Sequence, residues 1–120
     1  MLYSNVPNRN TSITLVEGKV RTRIATQDIL LIQSEHIYVR ILLRDGRKIL
    51  YRCALRDIVR QLPPKSFLQV HRGYVVNLRW VNAFDGKHIT IAQHVLPVSR
   101  TYRKQLKDIL QNPRYLSIQN

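Results

Sequence analysis

Apolar and polar positions alternate with a period of two along most of this chain, and the period lengthens to that of a helix in only two places. The clearest alternation spans residues 37–43. Ile37, Val39, Ile41 and Leu43 share one face there, with Tyr38, Arg40 and Leu42 on the other. Asp45-Gly46 follows, a pair that tolerates positive φ, so residues 48–52 read as the return strand of a hairpin. Upstream, residues 13–16 and 19–25 are β-type runs around a turn at Glu17-Gly18. Residues 28–32 form a continuous apolar run of the kind that fills a buried strand, and Gln33 to His36 read as a polar connection.

The first helical stripe is Leu55, Ile58, Val59 and Leu62, stopped by Pro63-Pro64 and poorly capped by Cys53-Ala54. It is short and carries few outward bases, which suits a core cover better than a recognition helix. Residues 67–81 then form the most distinctive stretch. Phe67, Gln69 and His71 alternate with Leu68, Val70 and Arg72, and Gly73 permits a bend before Val75 and Val76 resume the strand. Residues 80–84 and 88–92 flank a second hairpin turn at Asp85-Gly86, and residues 95–98 are extended. Ser99 is placed to cap a last helix whose apolar stripe is Tyr102, Leu106, Ile109 and Leu110. The pattern predicts a mainly β domain: small antiparallel sheets joined by hairpins, with two short helices. Residues 1–11 read as a tail or linker remnant, 12–112 as the domain and 113–120 as a second tail.

Charge changes the picture more than composition does. The 120 residues hold 20 Lys and Arg against 7 Asp and Glu, a formal net charge of +13. Such an excess repels itself in the compact state and suits a polyanionic partner. Nucleic acid is the first candidate, ahead of an anionic membrane surface or an acidic protein. The bases gather at residues 40–48, 72–79 and 100–107. One such cluster is ordinarily a solvated face; three with few acids to pair them favour nucleic acid. An open-sheet reader of single-stranded RNA would need aromatic platforms, and aromatics are only 8% of the chain. The single cysteine, Cys53, permits no intrachain disulfide and reads as a small buried apolar residue in a reducing, cytoplasmic setting. No apolar segment approaches the ~18 residues of a membrane span.

Catalytic chemistry finds little footing. Of the seven carboxylates three sit in or beside turns and two lie on helices, and there is no phosphate-binding glycine loop or nucleophile elbow. His36, His71, His88 and His94 are widely spaced, so no metal site or cofactor is expected.

Residues 28–32, the run Tyr38-Val39-Arg40-Ile41, the stretch Phe67-Leu68-Gln69-Val70-His71-Arg72-Gly73-Tyr74-Val75-Val76-Asn77 and the element Leu96-Pro97-Val98-Ser99-Arg100 with Tyr102 together resemble the LytTR family of DNA-binding domains. The resemblance covers roughly residues 13–110. It implies a bacterial transcription factor domain without a helix-turn-helix, whose loops enter successive grooves of double-stranded DNA at direct repeats. It also implies a receiver domain and sensor-kinase pathway upstream, and two copies meeting on DNA. Carried onto this chain, the contact residues are Tyr38 and Arg40, then His71 and Arg72, then Arg100, Thr101, Arg103 and Lys104. Arg72 and Arg100 match the family pattern most closely. Two positions depart from it: Gln33-Ser34 and His36-Ile37 stand before the tyrosine in place of the family's usual residues, and Gly73 replaces a frequent Ser. Asn77, a polar residue ending an apolar strand, is expected to satisfy backbone groups rather than to touch a base.

Overall fold

A strand run that is apolar on both sides must be covered on both sides, and the computed structural model, which describes residues 11–112, resolves this by placing one sheet at the centre of three layers. In chain order the elements are β1 Ser12–Glu17, β2 Val20–Ala25, β3 Ile29–Glu35, β4 Tyr38–Leu43, β5 Lys48–Arg52, α1 Leu55–Val59, β6 Phe67–His71, β7 Tyr74–Asn77, β8 Val81–Phe84, β9 His88–Ile91, β10 His94–Pro97 and α2 Arg100–Leu110. Single 3-10 turns occupy Thr26–Asp28 and Leu78–Trp80. The central sheet has five strands in the order β5-β4-β3-β7-β6, every pairing antiparallel. Of the tails assigned to residues 1–11 and 113–120, all but Thr11 lie outside the described residues.

Alternation sorts the side chains between two cores. Ile32, Val39, Ile41, Leu43, Phe67 and Val75 meet the β1–β2 hairpin, through Ile13, Leu15 and Ile24, and helix α1, through Leu55 and Ile58. Leu31, Leu42, Val70, Tyr74 and Val76 point the other way, onto Ile89 and Ile91 of the β8-β9-β10 sheet and onto Val98 and Leu106. The continuous run Ile29 to Ile32 thus feeds both cores, with a register shift between Ile29 and Leu31.

The two Asp-Gly turns form as predicted. Gly46 and Gly86 have φ of 94° and 97°. Asp45 Oδ1 accepts from the Arg47 amide at 3.0 Å, and Asp85 Oδ1 accepts from the Lys87 and His88 amides at 2.8 and 2.6 Å. These amide bonds hold both carboxyls below the usual carboxylate range.

Four local expectations change. Gln33, Ser34 and Glu35 are not a connection: they continue β3, paired with β4, and the turn contracts to His36-Ile37 with His36 at φ 57°. Trp80 precedes its strand, sitting in the 3-10 turn with its indole N–H on Gln27 O at 2.9 Å. Ser99 occupies the N-cap position of α2 without a side-chain cap bond. Cys53 is half-buried, and burial raises its thiol pKa.

Asn77 behaves as its position suggests. It is 2% exposed. Its Nδ2 donates to Ile29 O at 2.9 Å and its Oδ1 accepts from the Arg79 amide at 3.0 Å, so it joins β7 to the start of β3. Replacing it with Ala leaves a buried carbonyl and an amide without these partners. Asn77→Ala is expected to lower stability by about 2–3 kcal/mol, read as a reduced urea midpoint with unchanged slope.

Candidate nucleic-acid interface

The register of the central sheet brings the two turns that carry candidate contact residues to the same end, the candidate working end. Glu35 pairs with Tyr38 across the β3–β4 turn, and His71 pairs with Tyr74 across the β6–β7 turn. β3 and β7 are neighbours, with Gln33 opposite Tyr74, and the Ser34 amide reaches Gly73 O at 2.7 Å. Arg52, the last residue of β5, lies opposite Tyr38. Helix α2 joins this end from the side. The Ser99 amide donates to Val70 O at 2.9 Å, which sets Arg100 and the first turn of the helix beside the His71-Arg72 turn. At ~4.8 Å between strands, the row from β5 to β6 spans roughly 19 Å.

Within this end, groups that brace the turns separate from groups left exposed. A register shift between Gln69 and His71 breaks the alternation, so His71 leaves the face of Phe67 and lies flat on Tyr74. The ring centroids are 4.6 Å apart and the planes 4° from parallel. His71 Nδ1 accepts from the Gly73 amide at 2.9 Å. Nδ1 is thereby committed to the turn, and Nε2 is the ring nitrogen left outside this bond. A Cβ at Gly73 would stand 3.3 Å from Nδ1, so the glycine spares the latch a crowded contact. Gln69 Nε2 braces the same turn from His71 O at 3.1 Å and Arg72 O at 3.3 Å. The Tyr74 hydroxyl donates to Pro97 O, tying the turn to the strand that leads into α2. Burial pushes the Tyr74 pKa up to about 12.

Arg72 projects from this braced turn. It is exposed, and among the described residues it has no ion-pair partner. Arg100 is likewise exposed and unpaired, Thr101 is exposed beside it, and Tyr38 is 36% exposed. Other expected contact residues have structural partners. Arg40 places one guanidinium nitrogen on both oxygens of Glu35, at 2.6 and 2.7 Å. Arg103 Nε donates to Val98 O at 2.9 Å and so fixes the start of α2. Lys104 is exposed and lies 3.3 Å from Asp108.

The basic groups of the sequence do not all converge. Arg44 and Arg79 stack on Trp80, 4.3 and 5.4 Å from the ring centre, and Arg44 contacts Asp28 at 3.4 Å. They belong to the opposite end of the sheet, where Ile29 pairs with Leu43. Two exposed residues at the working end escaped the sequence reading: Arg52, and Ile37 at 55% exposure. Arg52 was within reach, because counting back from the Asp45-Gly46 turn sets it opposite Tyr38. Among the described residues no three His, Cys, Asp or Glu side chains gather as a metal site, and no helix is long and apolar enough to cross a membrane.

Comparison with known proteins gives the family and the fold. Residues 19–111 match the model of the LytTr DNA-binding domain. The chain belongs to the LytTr DNA-binding domain family. It is 30% identical over 104 residues to the sensory transduction protein LytT of Bacillus subtilis, covering 82% of this chain and 43% of that protein. It is 33% identical over 94 residues to an uncharacterized response regulatory protein of Vibrio cholerae, covering 70% of this chain and 35% of that one. The chain thus spans less than half the length of these relatives. Its fold is that of the LytTr DNA-binding domain of a methyl-accepting/DNA response regulator from Bacillus cereus, with a TM-score of 0.69 at 16% identity, over 86% of this chain and 99% of that one. The mainly β architecture with two helices is the family's.

The Tyr74 bond to Pro97 has a pH signature. A neutral phenol favoured in the fold contributes stability that is full below the ordinary Tyr value near 10 and is lost as pH rises toward about 12. Tyr74→Phe is expected to cost about 0.5–1.5 kcal/mol near neutral pH. In denaturant titrations the gap between wild type and variant closes between pH 10 and 12.

Proposed function

We propose that this domain binds double-stranded DNA in a sequence-specific manner, as the DNA-reading part of a bacterial transcription regulator. The observation that carries the reading is the pairing of two unpartnered guanidinium groups on rigid supports. Arg72 stands on the latched β6–β7 turn and Arg100 opens α2, and the Ser99–Val70 bond holds the two supports together. An arginine held in place can form a bidentate pair with guanine O6 and N7 in the major groove. His71 offers Nε2–H, Thr101 offers a hydroxyl beside Arg100, and Tyr38 offers one at the same end of the sheet. Arg52 and Lys104 suit phosphates, which set register without reading sequence. Arg40, already paired with Glu35, shapes the surface of the β3–β4 turn in the free protein.

By similarity to the longer relatives, the DNA-binding unit of residues 12–112 works behind a receiver domain in a two-component pathway in the cytoplasm. Two copies meet on direct-repeat sites near promoters. Each base-reading contact contributes about 1–3 kcal/mol of discrimination. Arg72→Ala is expected to bring specific and scrambled duplexes close to equal affinity. Lys107→Ala, on the exposed side of α2, is expected to weaken both evenly and to lower the salt slope by about one. Titration of both duplexes at several salt concentrations decides the matter. Equal loss on both duplexes for Arg72→Ala removes its reading role.

A further inference from the structure

The β1–β2 hairpin covers one face of the central sheet, yet its basic strand does more than cover. Its base is tied near the end of the sheet remote from the working turns. The Thr26 amide donates to Thr11 O at 2.9 Å, and Asn77 Nδ2 approaches Thr26 O at 3.4 Å. Further along β1, the Thr14 amide donates to Gln61 Oε1 at 3.2 Å. The Val16 amide then donates to the Tyr51 hydroxyl at 3.0 Å, and Tyr51 is the penultimate residue of β5, next to Arg52. The hairpin therefore crosses the sheet diagonally and points its tip at the corner occupied by Arg52 and Tyr38.

Burial shows that the tip overruns the core. Ile13, Leu15 and Ile24 face the sheet at 0%, 4% and 7% exposure. Thr22 and Val20 continue the same face of β2, but Thr22 is exposed and Val20 is 64% exposed. An inward-facing valine left that bare has no sheet beneath it. The turn itself is Glu17-Gly18-Lys19, with Gly18 at φ 61°. Lys19 and Arg21 flank it, Arg23 follows, and all three are exposed. Among the described residues none of them forms an ion pair. Unpaired cations along an outer strand also guard its free edge against aggregation. That role does not require the tip to overhang the working end.

We propose that the β1–β2 tip is a second, sequence-independent DNA contact: Lys19 and Arg21 grip backbone phosphates flanking the site read by Arg72 and Arg100. The inference rests on the DNA-binding reading above and extends it to the side of the interface farthest from α2. The tip, Arg52, Arg72 and the start of α2 would then supply basic groups along one end of the sheet. Each phosphate neutralised by such a cation releases counterion and steepens the dependence of affinity on salt.

The test compares the wild-type chain, Lys19→Ala/Arg21→Ala and the charge-retaining Lys19→Arg/Arg21→Lys, on a duplex selected from a random pool by the wild type and on a scrambled duplex. The alanine pair is expected to lose roughly tenfold in affinity at low salt on both duplexes and to lower the salt slope by roughly two. The charge-retaining pair keeps the wild-type slope. A wild-type slope in the alanine pair, while the wild type binds, overturns the grip and leaves the reading by Arg72 and Arg100 standing. A loss confined to the selected duplex also overturns it, because phosphate contacts are blind to sequence. A wild type that enriches no duplex from the pool overturns both proposals.

Discussion

The pairing of β3 with β7 is the constraint on which the rest of the molecule depends. Without it the chain holds two separate units, the β3-β4-β5 meander and the β6–β7 hairpin. Their junction is short: Leu31 opposite Val76, Ile32 opposite Val75 and Gln33 opposite Tyr74, extended by the bond from the Ser34 amide to Gly73 O. Asn77 closes it at the far end through Ile29 O. A slip of one residue would exchange the two faces of β7, sending Tyr74 and Val76 from one core into the other. It would also part the two turns that now lie side by side. One register therefore fixes both the division of the cores and the geometry of the working end.

Rigidity at that end comes from polar bonds made by residues that also pack. His71 spends Nδ1 on the Gly73 amide and its ring face on Tyr74, and Tyr74 spends its hydroxyl on Pro97. The chain of contacts runs from turn to strand to helix start. The groups it supports, Arg72 and Arg100, make no ion pairs of their own among the described residues. A guanidinium on a fixed stem loses less freedom on meeting a ligand than one on a mobile loop, so more of each contact appears as discrimination. Arg44 and Arg79 do the opposite. Stacked on Trp80, they close the remote end of the sheet.

Much of this was legible in the residues because local signals agreed with the global fold. Alternation in residues 37–43 and the two Asp-Gly turns gave the hairpins, and the stripes from Leu55 and Tyr102 gave the helices. The family motif around His71 and Arg72 pointed to the turn that carries the exposed, unpaired Arg72. What escaped was set by pairing across distance. Gln33 to Glu35 are polar and read as a loop, yet strand partners on both sides hold Gln33 in the sheet. A register shift turned His71 onto Tyr74, which alternation cannot foresee. Arg40 carries no sign in the sequence that Glu35 will hold it, and residues 19–23 show their place at the working end only once Val16 is seen bonded to Tyr51.

In the proposed reading one end of the sheet, and not the basic surface at large, meets DNA. Amide chemical shifts recorded while a selected duplex is added test it most directly. Perturbations are expected to concentrate at residues 36–40, 71–74 and 99–104, with further shifts at Arg52 and at residues 18–21 of the β1–β2 tip. Shifts spread evenly over all exposed basic residues, or strongest around Arg44, Arg47 and Arg79 at the opposite end, would contradict it.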